Sequence, residues 1–334
     1  MTRYIEMFAL FMACSLVATA SNLKAETGTT TTVSPTASAT VIEKQDNPGV
    51  VVDISYGQLS GTTQYEIGGN IEIGGYKYDV HFPVSRLEFP LDVPIASASI
   101  GFFPEHNRTV TTLEVTTNLS GDAGKMKDSD FGVFEGSSED ALDIYSESDA
   151  DLDLLFIDLK IKTKEKPQDT IYPVFALGFF YKQFEFTCSN VDQWSPSHPE
   201  YEHIIIEGEG LKYEIDYYSP YVQLGLGISP MKKLHLSALC GLYFVYYTDK
   251  DNHLLIDKVN KGSGTGWGYS VEAAGRFDIT DVVFVSLDLS YLDLEAEGEM
   301  DASFAGEKSI YNHTIDEEID LEESKWMVSV GFLF

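Results

Sequence analysis

Two short acidic motifs carry residue types and spacing suited to acid–base chemistry. Asp128-Ser129-Asp130 sets two carboxylates two residues apart, and Asp249-Lys250-Asp251-Asn252-His253 sets two carboxylates and an imidazole at the same interval. In a β-strand, residues i and i+2 project from one face, so each motif presents its groups together when its segment is extended. Two carboxylates held close cannot both ionise easily, which pushes one pKa up. A His beside an Asp is oriented by it and made a better base. An Asp pair facing an Asp–His dyad can hold a water between them. The His takes a proton, the water attacks a carbonyl, and hydrolysis proceeds without a covalent intermediate.

Plainer readings compete. A lone D-x-D beside a loop is most often a solvated edge in so acidic a chain. Asp249, Asp251 and His253 offer a divalent ion two oxygens and a nitrogen, a weak set. No Gly and distal Glu complete a calcium loop, no His/Cys cluster suits zinc, and no metal site is expected. The D-x-D-x-H pattern occurs nowhere else, and neither G-x-S-x-G nor a Cys/His pairing argues for a nucleophile.

The elements that must position these groups alternate with period 2 from Val50 onward. Trp326, Val328, Val330, Phe332 and Phe334 share one face of the last segment, against Lys325, Met327, Ser329 and Gly331 on the other. One face is large and apolar, the other small or polar, as in strands with an apolar exterior and a polar interior. Ten segments read this way: 50–67, 76–102, 109–127, 149–163, 171–188, 209–228, 234–249, 267–278, 282–299 and 323–334. They exceed the ~5–6 residues usual in a soluble sandwich and suit tilted membrane crossings of about 9–11 residues with extensions beyond. The expected fold is all-β, a ten-stranded antiparallel transmembrane β-barrel over residues 50–334 with short periplasmic turns and long acidic extracellular loops. The long connections fall at 128–148, 189–208, 250–266 and 300–322. Residues 128–153 hold ten acids and no Lys or Arg, and residues 293–323 hold twelve acids and one Lys.

The 334 residues carry a formal net charge of −31, from 22 Lys+Arg against 53 Asp+Glu. That acidity excludes a nucleic-acid partner, whose phosphates would be repelled, and favours basic peptides or proteins. An aromatic content of 13% argues against disorder. Residues 1–25 read as a signal peptide, with Arg3, an apolar stretch from Phe8 to Ala20, and cleavage at Ala20 or Ala25. Residues 26–49 read as a flexible Thr/Ser-rich segment. The mature chain keeps Cys188 and Cys240, expected as buried thiols rather than a disulfide framework. The terminal Phe334 closes the last strand, the usual handle for barrel-assembly machinery.

In these residues the chain resembles the omptin family of outer-membrane proteases. Ile54-Ser55-Tyr56-Gly57-Gln58-Leu59-Ser60-Gly61 is similar to the family's first-strand motif, and Ser85-Arg86-Leu87-Glu88-Phe89 to its second. Met126-Lys127-Asp128-Ser129-Asp130-Phe131 and Asp249-Lys250-Asp251-Asn252-His253 resemble its two catalytic segments, and Ser219-Pro220-Tyr221 matches a Pro-Tyr of its sixth strand. The resemblance implies an active site in an extracellular cleft that cleaves next to basic residues, without cofactor. Carried over, His253 is the general base and Asp251 orients it. Asp128 shares the nucleophilic water and Asp130 supports Asp128. Asp249 matches an acid of the pocket for the basic side chain before the cleaved bond, and Asp143 more loosely the acid of the pocket after it. Two positions depart from the pattern. A first-strand Glu is replaced by Tyr65, leaving Glu66 beside it as the candidate substrate acid. The outward basic residues that grip lipopolysaccharide, a possible activating lipid, become Gln183 and Asp216, with Lys182 nearby.

The sequence thus points to an outer-membrane endopeptidase of a Gram-negative bacterium, its active site facing the cell exterior. The competing reading is a non-catalytic barrel, an adhesin or binder of basic ligands acting through the same acidic loops. A diffusion porin is weaker, because ten strands enclose a lumen largely filled by side chains.

Overall fold

Twelve strands form one antiparallel sheet that closes on itself in the computed structural model, which describes residues 49–104, 109–163, 171–305, 309 and 312–334. In chain order they are β1 (Gly49–Ile73), β2 (Tyr76–Pro90), β3 (Val93–Phe103), β4 (Thr109–Asn118), β5 (Asp122–Phe131), β6 (Leu142–Thr163), β7 (Ile171–Trp194), β8 (Ile204–Met231), β9 (Leu234–His253), β10 (Lys258–Asp278), β11 (Val283–Phe304) and β12 (His313–Leu333). The expected signal peptide at 1–25, and the following segment up to residue 48, lie outside the described residues.

The circumference is ten strands. β2 and β3 are halves of one stave: β2 pairs with β1 over Thr62–Ile73 and β3 pairs with it over Gly49–Leu59. β4 and β5 divide likewise, and both pair with β6. β1 and β12 close the ring, paired from Val51↔Leu333 to Ile73↔His313 with a shift of register between Gly68 and Ile71. Each split has a local cause. Pro90 has no N–H to continue the ladder, and past it the Leu91 amide donates to the Gly61 carbonyl at 3.0 Å. After β4, the Asn118 side chain stands in for the ladder, donating to the Leu152 carbonyl at 2.6 Å and accepting from the Leu154 amide at 3.0 Å.

The strands also run higher than their sequence pattern suggests. The stretches 128–148, 189–208, 250–266 and 300–322, expected as connections, are largely paired strand, and the connections proper are 132–141, 195–203, 254–257 and 305–312. Above a bilayer both faces of a strand meet polar surroundings, so the alternation fades while the backbone ladder continues. Acidic residues stand on the outer wall of this extension, where Glu295 faces Asp320 and Glu297 faces Glu318 across β11 and β12.

Below the extension, an apolar belt faces outward. Leu224, Leu242 (66% exposed), Val271, Leu289 and Val330 lie on it, with Tyr56, Trp267 and Trp326 among its aromatics. Each such side chain gains about 1.5–3 kcal/mol when an apolar phase covers it, which is what a lipid annulus supplies. Cys240 faces this side and is exposed, whereas Cys188 is buried inside, and both are free thiols. The expectation of two buried thiols fails at Cys240 because the apolar solvent of a membrane barrel lies outside it.

The lumen at belt height is cross-braced by charge. Lys182 pairs with Glu323, both buried, and its ammonium lies 4.9 and 5.0 Å from the Phe156 and Phe180 ring centroids. Lys160 meets Glu272 at 3.4 Å. Above these pairs sits an aromatic layer: Phe89 stacks on Tyr213 at 4.4 Å, and Tyr65 meets Tyr213 at 5.3 Å. This layer is the platform under the candidate site.

Candidate active site

The acidic motifs occupy the extended tops of their strands, above the belt. β10 runs from Trp267 in the belt back to Lys258, roughly 30 Å at about 3.3 Å per residue. At that height Lys258 stands cross-strand from His253, and Asn260 from Asp251. On another wall β5 pairs with β2, placing Asp128 opposite Leu87 and Asp130 opposite Ser85.

Asp128, Asp130, His253 and Lys258 all line one cleft of about 380 Å³, together with Tyr65 and Asn260. The structure thus brings both motifs to a single site. Asp251 lies just behind, fully buried, and its Oδ2 is the hub of the dyad. His253 Nε2 meets it at 2.6 Å, the Tyr65 hydroxyl donates to it at 2.5 Å, and the Asn260 amide donates to it at 3.2 Å. With Nε2 committed to Asp251, Nδ1 is the ring nitrogen that can take a proton.

The electrostatics follow from burial. Burial pushes the Asp128 carboxyl up to about 7, the neighbouring Asp130 adds to the rise, and His253 opposes it. Asp130 is also raised by burial, against a hydrogen bond from Ser85. One oxygen of Asp128 is buried without a hydrogen-bond partner. For His253, burial pulls downward, but the Asp251 charge and hydrogen bond together outweigh it and leave the imidazole raised. Burial lowers Lys258, with Asp251, Asp130 and Asp128 pulling the other way. The site therefore holds one carboxyl, Asp128, raised to about 7, beside a second raised acid and a raised imidazole, a set of groups suited to proton transfer.

The remaining expected residues lie elsewhere. Asp249 sits one inward position below Asp251, and both its carboxylate oxygens are shut off from solvent beside Glu317. Tyr247 donates to Glu317 at 3.0 Å. Glu66 does not enter the cleft. It lies on the outer face paired with Arg86, while Tyr65 and Ile67 point inward. Asp143 staples the 132–141 connection, accepting from the Phe134 amide at 2.8 Å and from the Ser137 and Ser197 hydroxyls at 2.9 and 2.6 Å. Lys182 points into the lumen. Gln183 and Asp216 face outward, where they meet Glu214 and Tyr181, so these three positions present no cation to a lipid phosphate.

Three site residues escaped sequence reasoning: Tyr65, Asn260 and Lys258. Lys258 and Asn260 share the i, i+2 spacing of the motifs, and a four-residue turn after His253 would have placed them opposite the dyad. Among the described residues no group of three or more His, Cys, Asp or Glu is arranged to hold a metal.

No protein-family model matches the chain, and no curated protein sequence is similar to it. Among solved structures, the outer membrane protease OmpT from Escherichia coli is similar at 17% identity, covering 87% of this chain and 98% of that one, with a TM-score of 0.66. The outer membrane protein OprG from Pseudomonas aeruginosa matches at 9% identity over 87% of this chain and 97% of its own, with a TM-score of 0.40. Ail, the attachment invasion locus protein of Yersinia pestis, matches at 9% identity over 86% and 99%, with a TM-score of 0.29. The first of these likenesses shows the fold of an outer-membrane β-barrel.

Proposed function

We propose that this chain is an outer-membrane endopeptidase whose cleft opens to the cell exterior. His253, oriented by Asp251, takes a proton from a water held between it and Asp128. The water oxygen bonds to the peptide carbonyl carbon, the C–N bond breaks, and the imidazolium returns its proton to the departing amine. Asp130 supports Asp128. The observation that carries this reading is the convergence of the Asp pair of β5 and the Asp–His dyad of β9 on one cleft, outside the apolar belt. The acidic outer wall draws cationic polypeptides toward the mouth. The membrane lipid, and the assembly machinery that engages Phe334, are the other partners.

The test is cleavage of a panel of cationic peptides by refolded barrel. Asp128→Asn and His253→Ala are each expected to reduce kcat at least about 10³-fold. Unchanged turnover in both variants would show that the mechanism is wrong. Salt-sensitive retention of the peptides without any product would favour the non-catalytic binder, which the like-charge rows of β11 and β12 also suit.

A further inference from the structure

The walls of the cleft carry information about which side chain it receives. Apart from the four chemical groups, its lining is uncharged: Val133, Val191, Leu211, Leu255 and Ile256 are among its apolar walls, and its polar contributors, such as Ser146, Ser148, Gln193 and Asn260, carry no charge. Leu255 and Ile256 belong to the tip immediately after His253 and are 49% and 44% exposed. Such side chains at a tip cost free energy in water and gain it against an apolar ligand.

The acids able to hold a basic side chain are beneath this cleft, outside its lining. Asp249 and Glu317 are 6% and 1% exposed. Tyr65 takes part in closing the way to them. Its ring packs against Tyr213 at 5.3 Å and Phe89 at 6.4 Å, and its hydroxyl is pinned to Asp251 at 2.5 Å. Moving this ring aside would break the brace of the Asp–His dyad. The one cation in the lining, Lys258, further disfavours a second cation beside Asp128 and Asp130.

We infer that the residue flanking the bond cut by this protein is apolar, aliphatic in the first instance, rather than basic. This rests on the endopeptidase reading. The two scales of electrostatics then divide the work. The outer wall attracts a cationic polypeptide at long range, and the cleft selects an apolar side chain within it. The substrate class is an amphipathic cationic peptide cut beside an aliphatic residue.

The experiment uses a matched set of peptides on one cationic scaffold, differing only at the two positions around a single candidate bond: Leu, Val, Gln, Asp, Lys or Arg. Products are mapped by mass. The expected result is cleavage beside Leu or Val with kcat/KM about tenfold or more above Lys or Arg. Asp249→Asn, which alters an acid sealed from the cleft, is expected to leave that ratio within about twofold of wild type, whereas Tyr65→Ala is expected to shift it toward Lys and Arg. Cuts confined to Lys or Arg, or a selective loss of such cuts in Asp249→Asn, overturn the inference and leave the endopeptidase reading standing. No product from any peptide, with the barrel shown to be folded, overturns both.

Discussion

The Tyr65 hydroxyl and the His253 imidazole meet the same oxygen, Oδ2 of Asp251, from two walls of the barrel at 2.5 and 2.6 Å. Tyr65 on β1 thus braces the carboxylate that holds the His253 ring. Tyr65→Phe keeps the ring and removes the donor, so the charge of Asp251 acts more fully on His253 and raises the imidazole further. The expected outcome is a kcat lower by about tenfold, equivalent to ~1.4 kcal/mol, with KM little changed. The acid limb of the pH–rate profile moves to higher pH.

Lys258 sets the same limb from the opposite side. Its charge disfavours protonation of His253 and favours ionised Asp128 and Asp130. The base works only when neutral, so activity falls as pH drops through its raised pKa, above the ordinary 6.5. Lys258→Met is expected to move that midpoint up, while Lys258→Arg holds it near wild type. Rate profiles between pH 5 and about 9 decide it.

Asp249 carries a stability cost that depends on pH. Burial raises its carboxyl from 3.8 to about 7, so between these values the folded barrel holds a proton that the unfolded chain has released. Stability therefore falls as pH rises across that window. Asp249→Asn removes the penalty. Its unfolding temperature, followed by heat-dependent gel mobility, is expected above wild type at pH 8, with the difference gone below about pH 4.

Lys182 and Glu323 test the lumen. Lys182→Met strands a buried carboxylate that is 5% exposed, and is expected to cost about 3–5 kcal/mol. The double variant with Glu323→Leu recovers most of it. Urea unfolding of the barrel in micelles measures both.

Much of this was legible in the chain. Strict alternation identified the staves, because one face meets lipid and the other the lumen. The i, i+2 spacing put Asp128 with Asp130 and Asp251 with His253. The upper barrel was not legible throughout, because strands wetted on both faces lose the alternation, and the acids of 300–322 therefore read as loop. Tyr65 was hidden for another reason: its partner is Asp251, and only the closed ring brings β1 to β9. Asn260 stands directly across from Asp251 on the next strand, and it was hidden only by the shortness of the turn between them. The step from Tyr65 to Glu66 shows how sharply register decides. One residue separates the brace of the dyad from an ion pair with Arg86 on the outside.

The seam between β1 and β12 has a consequence for timing. Tyr65 lies 186 residues from Asp251, and its strand is locked in place by pairing with the final strand of the chain. A chain still in transit, or a sheet still open at that seam, carries every chemical residue and lacks their arrangement. On the endopeptidase reading, the cleft is complete only once the β1–β12 seam has closed, so the proposed activity is expected to appear with barrel closure and not before it.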